Sequence, residues 1–201
     1  MKKFVAVRRA DLLGWSAILG SALYVATDVL EAAQGGFGPL QLWLTLVAEA
    51  AIPVVVLGIA IEHRARIGGL GLVGASLYAY SYVYFTGTVI YALAHRTPDY
   101  AALGDALQPW MTIHGGVMVA GGLTFGGALL RGGLASRWPP VAVMAGVVLV
   151  AATQTAPDGI QVLAAGIRAL GIAGLGLATM RPTTFSGRGT PGGGRWGGAP
   201  R

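Results

Sequence analysis

The residues best able to do chemistry in this chain are few, and most stand in apolar surroundings. Glu49 lies inside LTLVAEAAIPVVVLG (44–58), a run that is otherwise apolar. Asp28 and Glu31 lie near the end of an earlier apolar run and His114 near the start of a later one. Gln154, Asp158, Gln161 and Arg168 are spread over the last two. An ionisable group in such a place costs several kcal/mol unless it is paired or hydrated, so these positions are where function is sought first. Three kinds of chemistry fit the residue types. A carboxylate and a guanidinium at the same depth can pair, because Arg makes bidentate bonds to carboxylates. Desolvated carboxyl groups can act as general acids, with Asp28 and Glu49 as the candidates. Converging polar faces can bind a small ligand, and for that role the candidates are Asp28, Glu31, Glu49, Tyr84, His114, Gln161 and Arg168.

Spacing sharpens the set. Ser21, Tyr24, Asp28 and Glu31 follow i, i+3, i+7, i+10 and share one helix face. Asp158, Gln161, Ala165 and Arg168 repeat that spacing, and Tyr80, Tyr84, Thr88 and Tyr91 make a third polar stripe. Glu49 is ten residues in from Pro39, and Arg168 is ten residues in from Asp158. At the rise of an α-helix both lie roughly 15 Å deep, which makes them natural partners. Pro53 cannot donate to the carbonyl of residue 49, so a kink is expected there. Kinked helices at mid-depth often line transporter sites. Each reading has a plainer alternative. Glu49 and Arg168 would form an ion pair that fixes packing, Asp28 and Glu31 would belong to a solvated helix end, His114 would be an interfacial hydrogen-bonder, and the tyrosine stripe would be core.

The elements that must position these residues follow from composition. The chain has 201 residues, 54% hydrophobic and 11% charged, with mean hydropathy +0.64. A soluble domain carries about 25% charged residues, so the expected class is an all-α, multi-pass membrane protein. Six windows have the length a span needs: 12–33, 39–61, 69–93, 109–130, 138–156 and 159–180. YAYSYVY (78–84) alternates like a strand but lies within the third window, and a lone strand in lipid would leave its backbone unpaired, so it is read as helix. The loops are short except 94–108. Residues 1–11 read as a basic cytoplasmic N-terminus and 181–201 as a disordered, basic, Gly/Pro-rich cytoplasmic tail.

Orientation follows from basic residues. Lys2, Lys3, Arg8, Arg9, Arg64, Arg66, Arg131, Arg137, Arg181, Arg188, Arg195 and Arg201 all fall on one side of a six-span threading. Arg96 falls on the other side, and Arg168 lies within a span. Both termini are therefore expected in the cytoplasm, in a plasma (inner) membrane. Trp15 and Trp138 would sit at inner interfaces, Trp43 and Trp110 at outer ones. The first run exceeds the length of a signal-peptide core and lacks a clear cleavage site, so it is read as a span. On this threading the polar stripes lie in the outer half and imply a cavity open to the outside.

Several functions are disfavoured. There is no cysteine, hence no disulfide or thiol chemistry. HExxH, CxxC and GxSxG patterns are absent. His63, His95 and His114 fall at different levels, so no metal or cofactor site is expected. The net charge of +6 lies at helix ends and in one tail, which argues against nucleic acid as a partner. The expected partners are the lipid bilayer, a small-molecule or isoprenoid ligand, and a second helix surface. The last would meet the small-residue ridges of Gly122 and Gly126 and of Ala165, Ala169 and Ala173. The tail suits anionic head groups.

IHGGVMVAGGLTFGGALLRGGLASRWPPVAVMAGVVLVAA (113–152) resembles the fourth and fifth helices of uncharacterised bacterial six-helix integral membrane proteins grouped as a domain of unknown function. The likeness rests on a His-Gly start, an FG near the helix end and the turn Arg131, Gly133, Leu134, Arg137. It extends loosely over 12–180 and implies a six-helix fold without a mechanism. Abundant Arg, Ala and Gly and the absence of Asn agree with a bacterial source. The set Asp28, Glu31, Glu49 and several aromatics is also similar to membrane-embedded terpene cyclases. Those protonate an isoprenoid with a buried acid and stabilise carbocations on aromatic faces, but none of their motifs is matched here and they usually have a seventh helix. Three functions therefore stand: binding or passage of a small ligand, intramembrane acid catalysis on a lipid or isoprenoid, and a structural role in a membrane complex.

Overall fold

The computed structural model describes residues 8–133 and 136–180. Within them are seven α-helices and no strand: α1 (Arg9–Gln34), α2 (Pro39–Glu62), α3 (Arg64–His95), α4 (Tyr100–Leu107), α5 (Trp110–Arg131), α6 (Trp138–Ala152) and α7 (Asp158–Met180). The N-terminal segment up to residue 7 and the tail from 181 lie outside the described residues, as does Leu134 of the Arg131–Arg137 turn.

Local chemistry sets the helix ends. Asp11 sits in the first turn of α1, where the helix dipole favours an acid, and is paired with Arg8 at 2.9 Å. α1 stops at Gly35, whose φ of 69° lets its N–H reach back to the Glu31 carbonyl. Pro39 opens α2, and Pro139 lies in the first turn of α6, where a missing N–H costs nothing. α2 runs without interruption through Pro53, so the expected kink does not break the helix. α3 includes YAYSYVY, as read from the sequence. It is interrupted at Gly68 (φ 63°, ψ −169°), close to where the sequence places the start of the third span.

The six longer helices form a closed ring in chain order, α1–α2–α3–α5–α6–α7, with α7 returning to α1. Each antiparallel turn sends the chain to the opposite end. Arg8 therefore reaches the Met180 carbonyl (3.1 Å), His63 lies 3.4 Å from Thr179, and Gly132 packs beside Arg66. That end carries Arg8, Arg9, Arg64, Arg66, Arg131 and Arg137. The half of the ring next to it is filled with apolar side chains including Val56, Ile59, Phe125, Leu129, Val143 and Leu175.

α1, α2, α5 and α7 are long and apolar enough to cross a membrane, and α6 is an apolar helix of 15 residues. The outside of the ring agrees, with Leu12, Leu19, Val54, Leu70, Val83, Leu163 and Leu170 exposed. Exposed apolar side chains in this number fit a lipid-facing surface. Trp15, Trp43, Trp110 and Trp138 are also exposed.

The 94–108 segment contains α4, a helix of eight residues that was expected to be loop. Asp99 caps it, accepting from the Ala102 N–H at 2.8 Å. The Phe37 N–H donates to the Pro98 carbonyl at 2.7 Å and ties the α1–α2 turn to this segment.

Neighbouring helices touch backbone to backbone at glycines. A Cβ on Gly121 would stand 2.5 Å from the Tyr78 nitrogen, and one on Gly171 2.5 Å from the Val143 nitrogen. Gly122 faces Val147 and Gly126 faces Met144, both on α6, while Ala165 and Ala169 are buried. The small-residue ridges thus serve contacts within this chain. Gly121→Val should lower the thermal midpoint in mild detergent, at a cost of at least about 2 kcal/mol from overpacking. Gly127→Ala meets nothing within 4 Å and should be neutral or gain up to about 1 kcal/mol of helix propensity. Equal effects of the two would refute the close α3–α5 contact.

Candidate functional site

The ring encloses a cavity of about 390 Å³ in the half away from the arginine-bearing turns. Its mouth lies among the α1–α2 turn, the start of α4 and the α6–α7 turn, where Gly36, Asp99, Tyr100 and Gln154 line it. Its base is formed by Arg168, Glu49, Tyr82 and Met118.

The stripes on α1 and α7 come together as their spacing implies. Tyr24, Asp28 and Glu31 line the cavity from α1, and Asp158, Gln161, Ala165 and Arg168 from α7. Ser21 does not. It faces a small recess between α1, α2 and α7, and its hydroxyl is buried without a partner. Gln161 is turned onto the α6–α7 loop and donates to the carbonyls of Ala156 (2.8 Å) and Gln154 (3.4 Å).

Arg168 is 3% exposed. Its guanidinium carbon lies 4.9 Å from the Tyr24 ring centre and 5.5 Å from that of Tyr82, so two aromatic faces hold the charge by cation–π attraction. Its Nη1 makes a weak contact with the Met118 sulfur at 3.7 Å. On α6, Gly146 lets the chain pass, since a Cβ there would stand 2.5 Å from the Arg168 Cα.

Glu49 is 7% exposed, and its Oε2 has no hydrogen-bond partner. The expected Glu49–Arg168 ion pair does not form. Both groups enter one cavity, yet the ion pair found among the described residues is Arg8–Asp11 at the far end. Equal depth along two helices brought them into one chamber. The Tyr24 and Tyr82 rings lie on the guanidinium's faces, and among the described residues no carboxylate comes within ion-pair distance of its N–H groups.

Gln41, Thr45 and Glu49 lie at i, i+4 and i+8 on one face of α2. The Gln41 amide donates to Glu31 Oε2 and to Thr45 Oγ1, each at 3.2 Å, while its own Oε1 is buried without a partner. Sequence reasoning missed Gln41, although its period with Glu49 was a readable signal. It also missed Tyr82, Asp99 and Tyr100. The N-cap pattern Thr97-Pro98-Asp99 was the available sign for α4.

Tyr84 and His114, expected in the ligand site, do not line the cavity. Their rings stack on each other at 3.6 Å with 4° between planes. His114 Nε2 lies 3.1 Å from the Tyr80 hydroxyl, and its Nδ1 is 2.8 Å from the Trp110 carbonyl. Of the α3 stripe, Thr88 lines the cavity, whereas Tyr80 is exposed and Tyr91 stacks on His95. Tyr78 and Tyr82 turn inward and meet edge to face, and Phe85 lines the cavity beside them.

Among the described residues the chain is all-helical, with four helices fit to cross a membrane, and encloses at one end a cavity lined by both polar and apolar side chains. No family model, curated protein or solved structure matches the chain.

Three substitutions test the site's energetics. Glu49→Gln removes a buried carboxyl group that has no ion-pair partner, so the thermal midpoint should hold or rise. The Tyr82 hydroxyl is buried without a partner, so Tyr82→Phe should change stability by less than about 0.5 kcal/mol, while Tyr82→Leu, which removes the ring over Arg168, should cost at least about 2 kcal/mol. Equal losses for Phe and Leu would mean that the hydroxyl, and not the ring, holds the guanidinium.

Proposed function

We propose that this chain is a multi-pass protein of the plasma (inner) membrane with six spans and cytoplasmic termini, whose outward-facing cavity binds or passes a small polar ligand. The observation that carries this reading is the state of Arg168 and Glu49. Both are buried in one cavity, and neither forms an ion pair with any described residue. Buried ionisable groups that do not pair are expensive, and inside a membrane protein they mark ligand and ion pathways. The orientation rests on the arginines. Arg8, Arg9, Arg64, Arg66, Arg131 and Arg137 are at the end opposite the cavity mouth, where the positive-inside tendency places the cytoplasm.

The same site weighs against isoprenoid cyclisation. A guanidinium at the cavity base would raise the energy of a carbocation beside it, whatever the aromatic lining contributes. A purely structural role gains little from the small-residue ridges, since Gly122, Gly126, Ala165 and Ala169 are used within the chain.

The absence of cysteine permits a direct test by single-cysteine labelling in right-side-out vesicles. Ala101→Cys at the cavity mouth should react with a membrane-impermeant maleimide. Ala65→Cys, between Arg64 and Arg66, should react only after permeabilisation. Ala165→Cys, one turn from Arg168, should react with a small methanethiosulfonate reagent from the same side as Ala101→Cys. A reversed pattern at 101 and 65 would reject the orientation, and an inert 165 would reject the cavity as a site reached from solution.

A further inference from the structure

Resting on the reading of the cavity as a ligand site, the side chains inside it define the ligand's chemistry. Its volume of about 390 Å³ is many times the roughly 30 Å³ that one water occupies and lies within the range of small-molecule sites. The base presents one guanidinium. Arg168 has five N–H donors, two aromatic faces packed beside it and, 3.7 Å from its Nη1, the weak acceptor sulfur of Met118. Such a group calls for an anion. Around it, and outward to the mouth, the lining carries five carboxyl groups, on Asp28, Glu31, Glu49, Asp99 and Asp158. Two buried acceptor atoms have no donor, Glu49 Oε2 and Gln41 Oε1. These call for a cationic or strongly donating group.

Neither half of that demand is met by a ligand of one sign. A simple anion must pass and then sit among the carboxyl groups. A simple cation is attracted by them but leaves Arg168 without a counter-charge and meets its repulsion. We propose that the cavity takes a small zwitterion, its anionic group held by Arg168 and its ammonium group held by Glu49, Asp28 and the Gln41 carbonyl oxygen. Two sources carry that pair of charges: a free amino acid-like solute, and the phosphoethanolamine head group of a membrane lipid.

The test uses the full chain carrying Ala165→Cys in an uncharged maltoside detergent. It measures how far each probe slows modification of the thiol by a small, neutral methanethiosulfonate reagent. The probes are a series of ω-amino acids from glycine to 6-aminohexanoate, the matching carboxylates, the matching alkylammonium ions and a short-chain phosphatidylethanolamine. At least one zwitterion should protect at a concentration no less than about tenfold lower than its matched anion or cation, the equivalent of about 1.4 kcal/mol. Protection by the amino acids assigns a free solute, and protection by the phospholipid alone assigns the head group. Arg168→Gln should shift half-protection by at least about tenfold while the unprotected thiol still reacts. Glu49→Gln should weaken the zwitterion but not the matched anion, and serves where Arg168→Gln does not fold. Equal protection by the anions or the cations alone would overturn the zwitterion. So would a reactive thiol that no probe protects, with the open cavity left standing. A thiol that never reacts would instead remove the cavity reading beneath it.

Discussion

A guanidinium does not lose its charge in a protein, so a buried arginine must be accommodated rather than neutralised. Arg168 imposes that constraint on the helices nearest it. α1 and α3 each place a tyrosine ring on it, and α5 offers Met118. α6 gives up a side chain at Gly146 so that its backbone can lie against the Arg168 Cα. α2 places Glu49 in the same chamber without touching the charge. The aromatic contacts are worth roughly 0.5–2 kcal/mol each, whereas taking an ion out of water costs several. The carboxyl groups of the chamber therefore matter to the arginine even without direct contact.

The ring arrangement explains how one bundle has two unlike halves. At the arginine-bearing end the interior positions carry Val, Ile, Leu and Phe, which fill the space between the helices. Beyond Arg168 the interior positions turn polar on α1, α2 and α7 together, and these side chains border the cavity instead of closing it. The 94–108 segment, with α4, then contributes Asp99 and Tyr100 to the mouth, and the Phe37–Pro98 hydrogen bond joins two of the turns that form it.

Much of this was readable from residue order, and the failures have separate physical causes. Periodicity identifies the polar face of each helix, and on α1 and α7 a single polar stripe left one solution. Depth along a helix is additive in sequence, which is why Glu49 and Arg168 were placed in one chamber. Lateral position is not additive, and it decided that tyrosine rings, rather than the carboxylate, meet the guanidinium. On α3 the ambiguity is chemical. Tyrosine is content in a core or at a membrane interface, so the 80–84–88–91 stripe and the Tyr78–Tyr82 pair were equally plausible inward faces. The six long helices follow the hydrophobic windows because those are 15 residues or longer. α4, with eight residues, is too short for periodicity to register, and its cap was the only mark it left in the sequence.

In the proposed six-span arrangement, the shortness of α6 matters for the surrounding lipid. Fifteen residues rise about 22 Å, against a hydrocarbon core of about 30 Å. Starting from the arginine-bearing end, α6 stops short of the opposite surface, and Thr153 and Gln154 border the cavity where it ends. A bilayer meets such a shortfall by thinning against that side of the protein. The wall of the ring is thus lowest along α6, and there the acyl chains must shorten and their polar head groups descend toward the rim. The depression belongs to one sector of the circumference, so the protein would give the membrane around it an uneven thickness with a fixed direction.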